Sequence, residues 1–218
     1  VALFDVAGTL VAGNPWRGFL KYDGMSKARV YSRYPLIVPP YWAKNWGLIS
    51  DTRFRQVWVR QMAALLTGFT VDETDGLFRW IATDFMRGDY REDVVGRLKA
   101  HKRNGDYVLL VSGMFTPLTH QFALALGADA GVGTSLVFDA DGRCAGHIDG
   151  PVCAGDEKPL IARQFLEAQG ISVDEIVAYA DSGSDVPLLA AADVGVATYP
   201  DAALADVVHK HGWEVMGA

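Results

Sequence analysis

At 218 residues, half of them apolar and about a fifth charged, the chain can bury the core of one α/β domain plus a small second module. A formal charge of −6 argues against nucleic acid or an anionic membrane as the main partner, but excludes nothing about small anions, because a metal ion and a few local donors set the sign at a site. No apolar run approaches the roughly 20 residues that span a bilayer, and VALFDVAGTL lacks the marks of a secretory leader. Cys144 and Cys153 form no CxxC pair, so a soluble, reduced, cytoplasmic protein is expected, with one disulfide as the alternative.

In chain order, Val1 to Phe4 is a short apolar run followed by Asp5 and a Gly8-Thr9 turn, the pattern of a buried strand ending in a loop. The stretch from Gly13 to Gly88 offers no clear buried strand. Phe54, Val57, Trp58, Met62 and Leu65 keep helical spacing, as do Leu77, Trp80, Ile81 and Phe85. Pro35, Pro39 and Pro40 argue against a regular helix throughout Tyr34–Trp42. The aromatics of Tyr31–Trp46 are expected to pack inside this module rather than line a pocket. Tyr107–Val111 reads as a second strand, and Thr116-Pro117 as the N-cap and first turn of a helix that Gly127 ends. Asp139 to Gly142 reads as a hairpin turn. A helix through Leu160, Ile161, Phe165 and Leu166 precedes Gly170, and strands follow at Ile176–Ala180, Val194–Val196 and Trp213–Val215. Strands alternating with helices imply an α/β fold with a doubly wound, Rossmann-like, mostly parallel sheet. Residues 1–12 and 89–218 form that core, and 13–88 are an inserted helical module. His101, His120, His147, His209 and His211 form no assignable pattern.

Four places carry chemistry, each beside a strand end or a helix start, where open α/β sheets bind ligands. Asp5 is either a turn-forming aspartate or a carboxylate held at a strand tip, able to ligate a cation and attack phosphorus. Ser112-Gly113 is either ordinary turn sequence or a hydroxyl and amide that cradle phosphate. Lys158 sits in the first turn of a helix, where a cation opposes the dipole. It is paired with Asp156 or Glu157, or it points back at a phosphate and the Asp5 carboxylate. Asp181 and Asp185 crowd two carboxylates into one polar turn, which suits an oxygen-seeking Mg²⁺, although Asp185 could simply cap the helix after it.

Asp5-x-x-Gly8-Thr9, Ser112-Gly113 after a strand, Lys158, and Asp181-Ser182-x-x-Asp185 resemble, in this order, the four motifs of the haloacid dehalogenase superfamily. Gly155 to Lys158, Tyr179 to Leu189, Tyr199-Pro200-Asp201 and Gly212-Trp213 resemble its phosphoserine-phosphatase-like branch, subfamily IB. The resemblance implies a Mg²⁺-dependent phosphatase of a small phosphorylated metabolite, with residues 13–88 as its cap. It implies Asp5 as nucleophile and ligand, the Ala7 carbonyl, Asp181 and Asp185 at the metal, and Thr9, Ser112, Gly113 and Lys158 at the phosphate.

One position departs. Hydrolytic members of this branch usually carry a second aspartate where this chain has Ala7. Alanine keeps the metal-binding carbonyl and loses the group that protonates the leaving alkoxide and activates water, a loss of about 10²–10⁴-fold. The sequence leaves open whether another group substitutes, whether this is a phosphate-binding relative with little turnover, or whether alanine was introduced to trap a ligand. Alanine here also resembles phosphonoacetaldehyde hydrolases, whose Schiff-base lysine would have to be Lys21, Lys27 or Lys44. The substrate and the oligomeric state are not readable.

Overall fold

The computed structural model describes residues 1–217. The chain runs through β1 (Ala2–Phe4), α1 (Trp16–Lys21), α2 (Lys27–Tyr31), α3 (Tyr34–Asn45), α4 (Asp51–Leu65) and α5 (Val71–Trp80), which passes into a π-helical turn at Ile81–Phe85. It continues through α6 (Glu92–Asn104), β2 (Val108–Phe115), α7 (Thr116–Leu126), β3 (Ala130–Phe138), β4 (Cys144–Asp149) and α8 (Glu157–Ala168). The last elements are β5 (Val177–Ala180), a 3-10 turn at Gly183–Asp185, α9 (Val186–Ala190), β6 (Val194–Thr198), α10 (Ala202–His211) and β7 (Glu214–Met216).

The strands form one sheet in the order β4-β3-β2-β1-β5-β6-β7. Every pairing is parallel except β3 with β4. The side-chain period of two decides which residues face which layer. Ala2, Phe4, Val108 and Leu110 join one core with Phe122 of α7 and Leu98 of α6, whereas Leu3, Leu109 and Val111 join the other with Ala162 of α8 and Leu204 of α10. Phe4 stacks on Tyr179 across the β1–β5 pair, with centroids 4.2 Å apart. Sequence order runs away from β1 in both directions, so β1 is the point where strand order reverses and a crevice opens at the strands' carboxyl ends.

The doubly wound plan holds, and the Asp139–Gly142 turn links antiparallel β3 and β4. The Asp139 carboxylate accepts from the amides of Asp141 and Arg143, and Gly142 takes a φ of +69°. Both cysteines are buried free thiols. No helix of the described residues is long and apolar enough to cross a membrane.

Several local expectations are corrected. The 34–42 stretch is helical throughout, inside α3. Pro35 lies in the first turn, where its missing N–H is harmless, and Pro39 and Pro40 adjoin each other near the surface, where water can serve the carbonyls they leave without an amide. The aromatics of Tyr31–Trp46 are not packed away: Trp46 is 70% exposed, and Ile37 is the buried residue of α3. Strand β2 does not stop at Val111. It runs through Ser112 and Gly113 to Phe115, with its register against β3 shifting between Val111 and Phe115. Thr116 is the first residue of α7 and not its N-cap; its hydroxyl accepts instead from the Gly133 amide at 3.1 Å.

Candidate active site

Strand β1 ends at Phe4, and the Asp5 amide extends its pairing by donating to the Tyr179 carbonyl at 2.9 Å. The Asp5 carboxylate is thereby fixed at the centre of the sheet's carboxyl edge. The loop after it turns at Gly8, whose φ is +99°. A Cβ there would overlap the Asp181 carboxylate, so both the backbone conformation and the space require glycine.

Asp181 and Asp185 arrive from the loop after β5. Within 4.8 Å of one another lie carboxylate oxygens of Asp5, Asp181 and Asp185. Lys158, from the first turn of α8, reaches between two of them, 2.5 Å from Asp5 Oδ1 and 2.7 Å from Asp185 Oδ1. Its partners are thus neither Asp156 nor Glu157. Asp185 precedes α9 without capping it through its side chain, since its oxygens accept from Lys158 and from Ser182 Oγ at 2.9 Å. Thr9 Oγ1 donates to Asp181 Oδ1 at 2.9 Å. Lys158, Asp5 and Asp185 are all at most 5% exposed.

The electrostatics follow from this crowding. Burial pushes the Asp181 carboxyl up to about 8, helped by the charges of Asp5 and Asp185 and opposed by the Thr9 hydrogen bond and Lys158. Burial also raises Asp5, against the pull of the Lys158 ammonium. Burial alone would lower Lys158, but Asp185 and Asp5 outweigh it and hold the ammonium above the ordinary lysine range. One ammonium therefore faces three carboxylates, and the cluster is short of positive charge. An all-oxygen donor set with that deficit fits a hard divalent cation such as Mg²⁺.

A cavity of about 460 Å³ opens over these groups. Asp5, Ala7, Ser112, Gly113, Asp181 and Asp185 form its floor. Thr9 and Lys158 are not among the lining residues; they stand behind the floor, holding its carboxylates. The opposite wall comes from the helical segment: Tyr41 and Lys44 of α3 with Phe54, Arg55, Trp58 and Val59 of α4. Arg55 Nη1 lies 3.9 Å from the position a Cβ on Gly113 would take. Lys44 places its ammonium 5.4 Å from the Phe54 ring centre. Lys21 and Lys27 are exposed and line no part of this cavity.

Nothing in the sequence marks this face of α4 as a cavity wall. The i, i+4 pair Phe54–Trp58 signalled a helix, and its partly exposed face is the one that meets the cavity. His101 was also unassigned. Its ring nitrogens lie 2.7 Å from the Asp106 carboxylate and 2.9 Å from the Tyr179 hydroxyl, which ties α6 to β5 behind the site. Nothing in the spacing of 101, 106 and 179 announces that bridge.

A family model described as haloacid dehalogenase-like hydrolase matches residues 2–190. Protein CicA of Caulobacter vibrioides is 29% identical over 192 residues, 87% of this chain and 82% of CicA. Phosphoserine phosphatase SerB1 of Mycobacterium tuberculosis is 27% identical over 217 residues, 98% of this chain and 69% of SerB1. The crystal structure of a protein with unknown function from Bordetella pertussis Tohama I superposes with a TM-score of 0.83 at 26% identity, covering 99% of this chain and 97% of that one.

Proposed function

Since the chain belongs to the haloacid dehalogenase-like hydrolase family, we propose that it is a Mg²⁺-dependent phosphatase of its phosphoserine-phosphatase-like branch, acting through an aspartyl-phosphate on Asp5. The observation that carries this reading is the convergence of Asp5, Asp181 and Asp185 within 4.8 Å, on the same cavity floor as Ser112 and Gly113.

Asp5, Asp181, Asp185 and the Ala7 carbonyl would hold the cation. Bound there, Mg²⁺ would neutralise phosphate charge and orient the ester. The chain's own groups do the rest. One Asp5 carboxylate oxygen attacks phosphorus in line while the ester P–O bond breaks. The Ser112 hydroxyl and the Gly113 amide bind the phosphoryl oxygens, and Lys158 keeps the Asp5 carboxylate oriented and ionised. Water then attacks the phosphorus of the aspartyl-phosphate, releasing phosphate and the free carboxylate. Ala7 carries no proton, so the departing alkoxide takes its proton from solvent or from the substrate, and turnover is slow. The aromatic wall of Tyr41, Phe54 and Trp58 with Lys44 and Arg55 supports a leaving group that has an apolar part and an anionic one.

The experiment is phosphate release over a panel of phosphorylated metabolites with Mg²⁺, phosphoserine included, alongside single-turnover detection of the phosphoenzyme. Asp5→Asn should abolish both; unchanged turnover in that variant refutes the assignment. Tight Mg²⁺-dependent binding of a phosphorylated ligand with neither phosphoenzyme nor phosphate would instead mark a binding protein on this scaffold. A second reading has one observation in its favour: Lys44, alone of the three candidate lysines, lines the cavity. A phosphonoacetaldehyde hydrolase would be labelled there by that aldehyde and borohydride, and a phosphatase would not.

A further inference from the structure

The turn Tyr199-Pro200-Asp201, between β6 and α10, lines no part of the cavity over the floor. It is nevertheless the most constrained turn in the chain. Among the described residues Tyr199 alone, glycines aside, has a left-handed backbone, with φ at +46°. The proline after it narrows its choices further. Three contacts hold it there. Its amide donates to the Met216 carbonyl of β7 at 2.7 Å, and its hydroxyl donates to Asp93 of α6 at 2.9 Å. The Arg91 guanidinium lies 3.6 Å from its ring centre. A strained residue persists where its surroundings over-determine it, and such residues cluster near functional sites.

What this turn places is Asp201. The Asp201 amide donates to the Asp181 carbonyl at 2.8 Å. Its Oδ1 accepts from the Gly183 amide at 3.0 Å and from the Leu204 amide of α10 at 2.8 Å. One carboxylate oxygen thus caps α10 and ties that helix to the loop after β5. Packing closes the same joint, because a Cβ on Gly183 would lie 2.6 Å from the Ala203 Cβ. The loop needs such an anchor. It carries two of the three clustered carboxylates, which repel one another until a cation joins them. Thr9 and Lys158 hold only the side chains of Asp181 and Asp185.

We propose that Asp201 is a positioning residue for the cation site. By holding the main chain at 181 and 183, it keeps the Asp181 and Asp185 carboxylates at the spacing a divalent ion requires. Asp201 itself lies outside the three-carboxylate cluster. The inference rests on the cation site proposed above.

Isothermal titration of Mg²⁺ into the full chain tests it. Asp201→Ala should weaken binding about tenfold, the lower end for a residue that orients ligands without touching the ion. Asp201→Asn keeps an acceptor oxygen and should stay within about twofold of the parent. Gly183→Ala should weaken binding by a similar factor to Asp201→Ala, because it forces the loop and α10 apart, and adding Ala203→Gly should restore it. Thr70→Ala removes the cap of α5, away from the cavity, and should lower Tm while leaving Mg²⁺ affinity unchanged. Parent-like affinity in Asp201→Ala or in Gly183→Ala overturns the proposal. So does an equal loss in Thr70→Ala, which makes the effect one of general stability. A loss in Asp201→Asn as large as in Asp201→Ala assigns the effect to charge and overturns it too. Absence of Mg²⁺ binding by the parent removes the cation site itself, and this proposal with it.

Discussion

The floor and the roof of the cavity are made under opposite constraints. At the floor, Asp5 and Asp185 are each at most 5% exposed, and the buried ammonium of Lys158 behind them lies within 2.7 Å of both. In the roof, Trp42 of α3 is 50% exposed and Trp46, just past its end, 70%, held by ring contacts with each other, with Tyr41 and, through Tyr41, with Phe54 of α4. Buried charges tolerate one arrangement, because an unmatched ion in a low-dielectric interior is costly. Exposed rings tolerate many. The floor is thus where chemistry can be fixed, and the roof is where the choice of ligand can drift without cost to the fold.

That contrast can be broken most forcefully at Lys158. Lys158→Met should cost about 3–5 kcal/mol in urea unfolding, because it strands buried carboxylates without their counter-ion. Mg²⁺ should recover part of the loss. A cost below about 1 kcal/mol would mean that the floor does not depend on charge matching. Next comes Ala7→Asp, which changes the floor's chemistry and not its support: turnover should rise about 10²–10⁴-fold with little change in KM. Absence of any gain would point to another proton carrier.

A smaller effect comes from pH. The Asp181 carboxyl titrates near 8 in the folded chain, against about 3.9 when unfolded. Its protonated form is favoured in the fold, so the stabilisation is complete below about pH 4 and is lost as pH rises through about 8 in the metal-free protein. A cation that binds the ionised form relieves this. A fixed Mg²⁺ concentration, about 100 times the Kd at pH 8, should raise Tm by about 5–10 °C at pH 8 and by much less at pH 5. Equal shifts at both pH values in differential scanning fluorimetry would mean that Asp181 is already ionised at pH 5. The smallest effect belongs to the roof: Trp46→Ser should leave stability within about 0.5 kcal/mol of the parent, as thermal unfolding would show.

The same contrast explains what could be read from the chain alone. Ser112, Lys158 and Asp181 stand out in the sequence because each adjoins a glycine, a serine or a helix start, and Asp5 because it follows an apolar run and precedes the Gly8-Thr9 turn, just where a parallel sheet presents its carboxyl edge. The strands were legible from short apolar runs, although β2 was underestimated because Ser112 and Gly113 look like an ending when they form an irregular continuation. Thr9 illustrates a different limit. A hydroxyl beside a strand tip can serve a ligand or a neighbouring carboxylate, and only the fold shows that it holds Asp181. The aromatics of Tyr31–Trp46 were illegible for a physical reason. Helical spacing says that a stripe wants cover, and cannot say whether the cover belongs to the same molecule.

Strand β1 has a further consequence. It is three residues long, yet its neighbours are Val108–Leu110 on one side and Val177–Tyr179 on the other. Asp5 meets Lys158 across 153 positions of sequence. Local structure can form early in such a chain, but this ion pair waits for the most distant closures. The carboxylate at the tip of β1 therefore acts as a clock for assembly: its titration should change from that of a solvated aspartate only when both halves of the sheet have locked around it.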